Sequence, residues 1–339
     1  MQSDEAKATK AIAIKAFGPA ANFLSPKTAL VAVVNGAIVG GLLYKIKTSG
    51  KQKVGYIDYL FTDPAFAGQG IAGKLCDACF AHLWQEGCKA TVAYVQDDNA
   101  ASWKLFVKKG FVLTSYPKMI KGFGLMDTLM IKLFSGTFGF AVGYDFYVAF
   151  PDKEETLAYQ KSSRSFGQMV SFMLVNLLTA SYLILTSANP LNMLIAGILI
   201  FAGMLVMGYV GTLFSKHRWH FRLNEGGVFL PLNFMFLPFV PLAGAWYPKQ
   251  YENTPAFRKD IALQSLTVWV ALLVVGAMRM FIEAPTPLLS AIFGYAGFML
   301  VLRSFPVVLT SYGSARVLKW NKLVYIIFAA LSIYVAFFL

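Results

Sequence analysis

The sequence predicts an α/β domain, with a mixed sheet flanked by helices, followed by an all-α polytopic membrane domain. A strand, a glycine-rich turn and an apolar helix follow one another within residues 56–75. The 339 residues are 57% hydrophobic, and the mean hydropathy of +0.57 is too high for an ordinary soluble protein. Long apolar runs begin near residue 166, with Lys and Arg clustered beside them.

The glycine-rich turn carries the strongest chemical signal. Its strand breaks at Asp63-Pro64, and the glycines lead directly into the helix. A helix that starts there leaves backbone N–H groups unpaired, and its dipole favours negative charge at the same place. Glycines also keep side chains away from a bound phosphate. A pyrophosphate is therefore predicted to bind at Gly68, Gln69, Gly70, Ile71, Ala72 and Gly73.

Two other kinds of phosphate-binding turn fit poorly. A nucleotide-hydrolase loop needs Ser or Thr after its last Gly-Lys, and Gly73-Lys74 is followed by Leu75. A dinucleotide-binding turn is answered by an acidic residue about 20 residues further on. Glu86 lies nearer than that, in a helical context. On the glycines alone, a tight connection without a ligand remains an alternative.

A second motif follows the predicted strand 90–95. It begins at Asn99, continues as a helix and ends at Gly110-Phe111. With this motif after the glycine turn, roughly residues 1–134 resemble the GNAT superfamily of acetyl-CoA-dependent N-acetyltransferases. The resemblance implies that acetyl-CoA is the co-substrate and that Asn99 and Phe106 help to bind it.

Two positions depart from the family pattern. The family's pyrophosphate motif falls on Ala67, Gly70 and Ala72, and Ala67 stands where Arg or Gln is usual. Phe106 stands where many members carry the Tyr thought to protonate the departing CoA thiolate, and Phe cannot donate a proton. Either water or another residue supplies that proton, or the domain binds acetyl-CoA without using it.

Acetyl transfer to an amine needs a fixed thioester, donors for the tetrahedral oxyanion and a base for the ammonium group. The resemblance implies that the donors are backbone amides near Leu60 and Phe61. Asp58, on the same strand, is the candidate base, acting directly or through water. A surface carboxylate without a role in catalysis is the alternative. Tyr59 and Tyr94 are candidate replacements for the missing acid.

Apolar runs and turn residues predict the other elements of the first domain. Asn35-Gly36, between the runs 28–34 and 37–47, predicts a hairpin. A strand and a helix are predicted in 7–24, helices at 72–86 and 100–109, and strands at 111–116 and 125–134. Residues 135–165 are rich in aromatic residues at their start and are predicted to form a linker at the membrane surface.

The membrane domain, 166–339, is predicted to contain about five spans, at 168–185, 191–214, 261–282, 288–309 and 323–339. Lys and Arg follow the second span and precede the third and fifth, whereas 186–190 and 283–287 contain neither. This pattern predicts a cell-membrane protein with its N-terminal domain in the cytoplasm, and no signal peptide is predicted. Residues 228–246 contain three prolines and are predicted to be re-entrant.

No metal site is predicted. Cys76, Cys79 and Cys88 lie in or near one helix, where packing explains them. His217 and His220 have helical spacing but sit among Lys and Arg, which repel a cation. An interfacial loop is the simpler interpretation.

The basic excess is predicted to contact lipid and not nucleic acid, because it is spread in short clusters beside apolar runs. Arg303 lies within one of those runs, where a charge is costly and usually faces a cavity or a partner. Asp260, Glu283 and Tyr295 are candidate partners.

The membrane half has a fainter resemblance, in layout, to the site-2 protease family of intramembrane metalloproteases. Gly208, Tyr209 and Thr212 stand where that family has His-Glu-x-x-His, and Ser311 or Tyr312 stands where it has an Asp ligand. Because these residues form no zinc ligand set, the resemblance implies a protease fold without its chemistry.

The leading hypothesis is a membrane-anchored N-acetyltransferase that uses cytoplasmic acetyl-CoA on an unknown amine at or near the membrane. The alternative is an inactive acyl-CoA-binding sensor or scaffold, whose protease-like half binds a partner membrane protein. Transport through the membrane half is a third hypothesis and depends only on Arg303.

Overall fold

A computed structural model describes residues 3–17, 28–49, 52–96, 99–136, 144–158, 165–223, 244–248, 254–305 and 313–338. The chain divides into two compact units. The first comprises Met1–Gly139 and Asp145–Lys161, and the second comprises Phe140–Tyr144 and Ser162–Leu339.

The first unit is built on a six-stranded mixed sheet in the order β1-β2-β3-β4-β6-β5. Its strands are β1 (Ala29–Val34), β2 (Ala37–Ser49), β3 (Gln52–Thr62), β4 (Cys88–Gln96), β5 (Val112–Leu113) and β6 (Tyr144–Ala149). Strands β1, β2 and β3 are successively antiparallel, β3 and β4 are parallel, and β5 and β6 are antiparallel. The mixed sheet predicted from the sequence is confirmed.

The predicted Asn-Gly hairpin connects β1 and β2. Asn35 has φ 49° and Gly36 has φ 78°, so both lie in the left-handed region that a two-residue hairpin turn of this kind requires. Asn and Gly adopt that region at lower cost than other residues, which is why this dipeptide fixes the turn.

Helices cover both faces of the sheet. They are α1 (Ser3–Phe17), α2 (Ile71–Gln85), α3 (Ala100–Lys108), α4 (Tyr116–Phe123), α5 (Leu125–Phe134) and α6 (Lys153–Ala158). Helix α2 packs Leu75, Cys79 and Leu83 into one core cluster, whereas α1 packs Ile12 and Ala13 with Phe61 of β3 into another. Burial of these apolar faces is the main force that holds the layers together.

Three element predictions for this unit differ from the structure. Residues 125–134, predicted as a strand, form helix α5, and the predicted strand 111–116 shortens to β5 because α4 begins at Tyr116. A short apolar run fits either period, and burial of one helical face decides between them. Residues 3–17 are one helix, without the predicted opening strand, and 18–24 lie outside the described residues.

The expected surface linker at 135–165 contains strand β6. Val148 of β6 pairs with Val112 of β5, and Tyr147 pairs with Leu113. Residues 146–150 are all buried, so this aromatic segment packs in the domain core and not at a membrane surface. A strand that enters the sheet between β4 and β5 leaves no local sign in the sequence, because its partners are distant along the chain.

The second unit is largely helical. Its helices are α7 (Ser165–Thr179), α8 (Ser181–Thr186), α9 (Pro190–Thr212), α10 (Pro255–Ala277), α11 (Pro287–Ser304), α12 (Ser314–Trp320) and α13 (Lys322–Phe338). Among the described residues, three helices are long and apolar enough to cross a membrane, namely Pro190–Thr212, Pro255–Phe281 and Pro287–Ser304. Helices α7 and α13 are shorter apolar helices.

The unit departs from the all-α prediction at a two-stranded antiparallel ribbon, β7 (Trp219–Leu223) and β8 (Gly244–Pro248). This ribbon contains His220, which is therefore not on a helix with His217. It also contains residues 244–246 of the predicted re-entrant segment, and 228–243 lie outside the described residues.

Two predicted spans are shorter than expected. The first span, 168–185, is divided at Ala180 between α7 and α8. The fourth ends at Ser304, where the sequence pattern suggested 309. Arg303 consequently lies in the last turn of α11, where the helix dipole favours a positive charge.

Candidate functional site

The glycine turn leaves open space at the N-terminus of α2. Gly68 has φ 81° and Gly70 has φ 74°, and a Cβ added to either would meet no atom within 4 Å. Gly70 is the N-cap of α2, and no side chain caps that end. The side of the turn on which the glycines lack a side chain is therefore uncrowded, as a pyrophosphate-binding site at a helix N-terminus requires.

Buried neighbours hold the turn in place. Ile71 is buried and packs on β2, where a Cβ at Gly40 would lie 3.1 Å from its Cγ2 atom. Ala72 is half-buried, and Gly73 lies beside α3, with Lys109 Cε 3.9 Å from the position of its absent Cβ. Gln69, by contrast, is exposed. The backbone is thus anchored while its glycine side remains accessible.

The sheet opens next to this turn. The parallel pairing of β3 and β4 ends at Ile57 and Ala93, although β3 continues to Thr62 and β4 to Gln96. The two strands therefore part over their last residues. A cleft of this kind lets a bound chain run between two strands and offers it their backbone amides.

A bulge in β3 falls at Asp58. Leu43 of β2 pairs with Tyr59, but the next residue, Tyr44, pairs with Ile57, so Asp58 is the extra residue. Bulges redirect side chains and are frequent beside active sites. The bulge accounts for Asp58 and Tyr59 both lying away from the α2 face of the sheet.

Asp58 forms an ion pair with Lys45. Lys45 Nζ lies 2.6 Å from Asp58 Oδ2, and 14% of the Asp58 side chain is exposed. Burial raises the pKa of Asp58 above its ordinary value, although the hydrogen bond and charge of Lys45 oppose the rise. Burial and the charge of Asp58 raise the pKa of Tyr59 as well. A carboxylate with a raised pKa is a better proton acceptor than an ordinary surface Asp.

Lys45 is a functional candidate that the sequence did not identify. It lies on β2, pairs with Tyr56 and is brought to Asp58 by the hairpin register. The bulge that turns Asp58 towards Lys45 has no sign in the sequence.

Leu60 and Phe61 lie beyond the bulge, on opposite faces. Leu60 packs against the cluster that contains α2, and Phe61 is buried against α1. Their side chains thus fix the strand backbone whose amides are the predicted oxyanion donors.

Tyr94 is the first residue of β4 after the last pair with β3. Its ring contacts Phe146 and Tyr56, with centroids 5.1 Å and 6.4 Å away, and its side chain is buried. Burial raises the pKa of its hydroxyl, which makes Tyr94 a weaker acid than free tyrosine.

Asn99 and Phe106 have structural roles in the described conformation. Asn99 Oδ1 accepts a hydrogen bond from the Ser102 amide at 3.2 Å and caps α3. Phe106 is 3% exposed, and its ring centroid lies 5.0 Å from that of Phe111. The Gly-Phe end of the second motif therefore contributes to the core.

The cysteines are buried thiols. Burial raises the pKa of Cys76 and of Cys79 to about 12 and also raises the pKa of Cys88. Within the described part of the chain, no three His, Cys, Asp or Glu side chains are grouped so that they could hold a metal ion.

In the second unit, the positions compared with a protease motif contact the β7–β8 ribbon or their own helix. A Cβ at Gly208 would lie 2.9 Å from Trp246 Cδ1, and the Thr212 hydroxyl donates a hydrogen bond to the Tyr209 carbonyl. Ser311 and Tyr312 lie outside the described residues.

Arg303 is buried and lines a small cavity together with Gln264 and Ser265. Of its predicted partners, Asp260 accepts a hydrogen bond from Ser215, and the Tyr295 hydroxyl lies beside Gly197.

A mixed sheet that opens beside a glycine turn at a helix N-terminus defines a domain that can hold a pyrophosphate-bearing co-substrate. Residues 7–111 match the family model described as Acetyltransferase (GNAT) family. The first unit thus has the GNAT fold that the sequence motifs suggested.

A curated relative and two solved structures are similar to parts of the chain. A mycothiol acetyltransferase of Geodermatophilus obscurus is 36% identical over 62 residues, which are 18% of this chain and 20% of that protein. The chain therefore matches about a fifth of the length of this relative.

The ribosomal-protein-S18-alanine N-acetyltransferase of Escherichia coli is 12% identical, with a TM-score of 0.32 over 48% of this chain and 94% of that one. The NatC complex bound to Gag peptide and CoA is 19% identical, with a TM-score of 0.28 over 34% of this chain and 83% of that one.

Proposed function

We propose that this protein is a membrane-anchored N-acetyltransferase that transfers an acetyl group from cytoplasmic acetyl-CoA to an amine at or near the membrane. The open glycine turn beside the parted ends of β3 and β4 is the observation that carries the proposal. The family model over residues 7–111 supports acetyl transfer, and the three long apolar helices support membrane anchoring.

The residues of the first unit suit the steps of this reaction. Amides of the glycine turn would hold the pyrophosphate, and amides near Leu60 and Phe61 would stabilise the oxyanion. Asp58 would accept the proton of the ammonium group, directly or through water. The amine nitrogen would then add to the acetyl carbon, and the oxyanion would collapse as the carbon–sulfur bond breaks and the nitrogen releases its second proton to solvent. Tyr59, Tyr94 or water would return a proton to the CoA thiolate.

Basic residues support a cytoplasmic location for the first unit. Lys216 and Arg218 follow α9, Arg258 and Lys259 lie in the first turns of α10, and Lys322 begins α13. Segments 187–189, before α9, and 282–286, before α11, contain no Lys or Arg, and Arg279 is the one basic residue between the end of α10 and the start of α11. Basic residues collect on the cytoplasmic side of membrane proteins, so the basic ends of these helices would lie in the cytoplasm, where acetyl-CoA is available.

A second candidate is an acyl-CoA-binding sensor or scaffold without turnover, whose membrane half binds a partner protein. The burial of Phe106 at the position of the usual acid favours it. Both candidates require acetyl-CoA to bind at the glycine turn, and only the enzyme releases free CoA in the presence of an amine.

Calorimetry of acetyl-CoA with the detergent-solubilised full chain tests the shared step. Gly70→Glu places a carboxylate in the predicted phosphate space, whereas Gly87→Glu is a matched control at the other end of α2. Gly87 also has a positive φ, 81°, and nothing within 4 Å of its absent Cβ, so both variants carry similar backbone strain.

We expect wild type and Gly87→Glu to bind and Gly70→Glu to lose binding. Loss in both variants would indicate damage to the fold, and no binding by folded wild type would overturn both candidates. Release of free CoA with a panel of amines would then separate the enzyme from the sensor.

A further inference from the structure

Exposed apolar side chains of the first unit are concentrated on one helical pair. Among its described residues, nine large apolar side chains are exposed, and five of them lie on α4 and α5. We call these five the α4–α5 face: Ile120, Leu125, Met126, Met130 and Leu133. Single exposed apolar residues are ordinary, but a cluster usually marks a surface that contacts something.

Helix α5 has a buried side, which includes Lys132, and an exposed side that is apolar. Thr128 and Ile131 point into the unit and are fully buried, whereas Met126, Met130 and Leu133 recur at i, i+4 and i+7 on its outer side. The exposed fractions of Met126 and Leu133 are 68% and 60%. Core packing accounts for the inner stripe and leaves the outer one unexplained, since an ordinary surface helix is polar there.

Positive charge accompanies the α4–α5 face. Lys118 and Lys121 are exposed on α4, and the two helices together contain three Lys and one acidic residue, Asp127. Leucine and methionine flanked by lysine are the side chains of helices that lie in the interface of an anionic membrane. The aromatic and Arg anchors that dominate protein–protein contacts are absent from the face.

We propose that the α4–α5 face docks on the anionic lipid leaflet of the membrane in which the chain itself is anchored. Three helices of the second unit are long and apolar enough to cross a bilayer, and the first unit belongs to the same chain, so a leaflet would accompany the first unit in every anchored molecule. The outer stripe of α5 would enter the boundary between headgroups and acyl chains, with Lys118 and Lys121 among the anionic headgroups. The proposal depends on membrane anchoring but not on acetyl transfer.

Fluorescence of a polarity-sensitive dye tests this contact in the full chain, reconstituted into nanodiscs of phosphatidylcholine with or without phosphatidylglycerol. Met130→Cys carries the dye on the α4–α5 face, and Val107→Cys on α3 is the matched control. The two native side chains are 45% and 48% exposed, and both occupy helices. The native cysteines are buried, which limits their labelling.

With anionic lipid, we expect the dye at residue 130 to shift to shorter wavelength and to be quenched by spin-labelled lipid, and the dye at residue 107 to do neither. Replacing Lys118 and Lys121 with Gln should lower the docked-to-undocked ratio by about fivefold per lysine, because each contributes about 1 kcal/mol near an anionic surface.

An unshifted dye at residue 130 would overturn the proposal, and so would a shifted dye that spin-labelled lipid does not quench, because protein would then cover the face. Equal docking on pure phosphatidylcholine would refute the role given to the anionic headgroups. Detection of the full chain in the nanodisc fraction checks membrane anchoring separately.

Discussion

Replacing Gly211 with Ala should destabilise the helical unit. Gly211 lies on α9 where that helix meets α10, and a Cβ there would lie 2.8 Å from Gln264 Cα and 3.1 Å from Gln264 O. It would also meet Thr267 Oγ1. Real Cβ atoms do not approach other atoms within 3.0 Å, and a backbone cannot swing aside as a side-chain tip does. The two helices must therefore separate.

The expected cost follows from two opposing terms. Overpacking of a close contact costs about 1–3 kcal/mol. Alanine returns about 1 kcal/mol through its better helix propensity. Because backbone atoms obstruct the new methyl group, we take the upper end of the first term and expect a net loss of about 2 kcal/mol. For a unit of this size, that corresponds to a midpoint lower by roughly 4–8 °C.

Thermal unfolding of the detergent-solubilised chain, followed by intrinsic fluorescence, measures this difference. Gly203→Ala is the control, because Gly203 is exposed on the same helix and a Cβ there would meet nothing within 4 Å. We expect its midpoint to equal or slightly exceed that of wild type. If Gly211→Ala unfolds at the wild-type midpoint, α9 and α10 do not approach as closely as described.

Three further predictions concern the first unit. Asp58→Asn should lower acetyl transfer by about 10²–10⁴ while acetyl-CoA still binds. In wild type, the rate should fall as pH decreases through the pKa of Asp58, which burial raises, because only the ionised carboxylate accepts the proton. An acetylation rate that changes neither with the Asp58→Asn substitution nor with pH would exclude Asp58 as the base. Asn99→Ala should lower the free energy of unfolding by about 1 kcal/mol through loss of the α3 cap, and Asn99→Ser should largely restore it. Equal stability of all three proteins would show that the cap is unimportant. Cys76 and Cys79 should resist iodoacetamide at pH 8 until the protein is denatured, because burial raises the pKa of both thiols to about 12. Alkylation of either thiol in the native protein, detected by mass spectrometry, would contradict this prediction.

Local patterns predicted the turn, the hairpin and the helix after the turn, because each depends on neighbouring residues. Glycines at positive φ, an Asn-Gly dipeptide and an apolar period of 3.6 leave direct signs in a sequence. The position of Asp58 beside Lys45 could not be predicted, since it depends on a bulge between two strands. The same applies to β6, whose neighbours in the sheet are separated from it along the chain.

The helical unit was predicted less completely, for a related reason. Hydropathy marks apolar runs but does not show where a helix breaks, as it does at Ala180, or where it ends, as it does at Ser304. Arg303 consequently seemed to lie deep in a span, whereas it occupies the last turn of a helix. Composition also does not show which side of α5 is buried, because Thr128 and Lys132 are buried whereas Met126 and Leu133 are exposed in the folded unit.

The place of β6 in the sheet has a consequence for biosynthesis. Strand β4, which ends at Gln96, keeps an open edge until Ala149 has left the ribosome, and at about 5–20 residues per second this wait is roughly 3–11 s. An open edge is prone to pair with other chains, so this interval is one in which a chaperone would protect the nascent domain. The late position of β6 in the chain also sets the minimum length of a fragment that contains the complete sheet. A fragment that stops at residue 134 would lack an interior strand, whereas one that continues through α6 would contain the complete sheet.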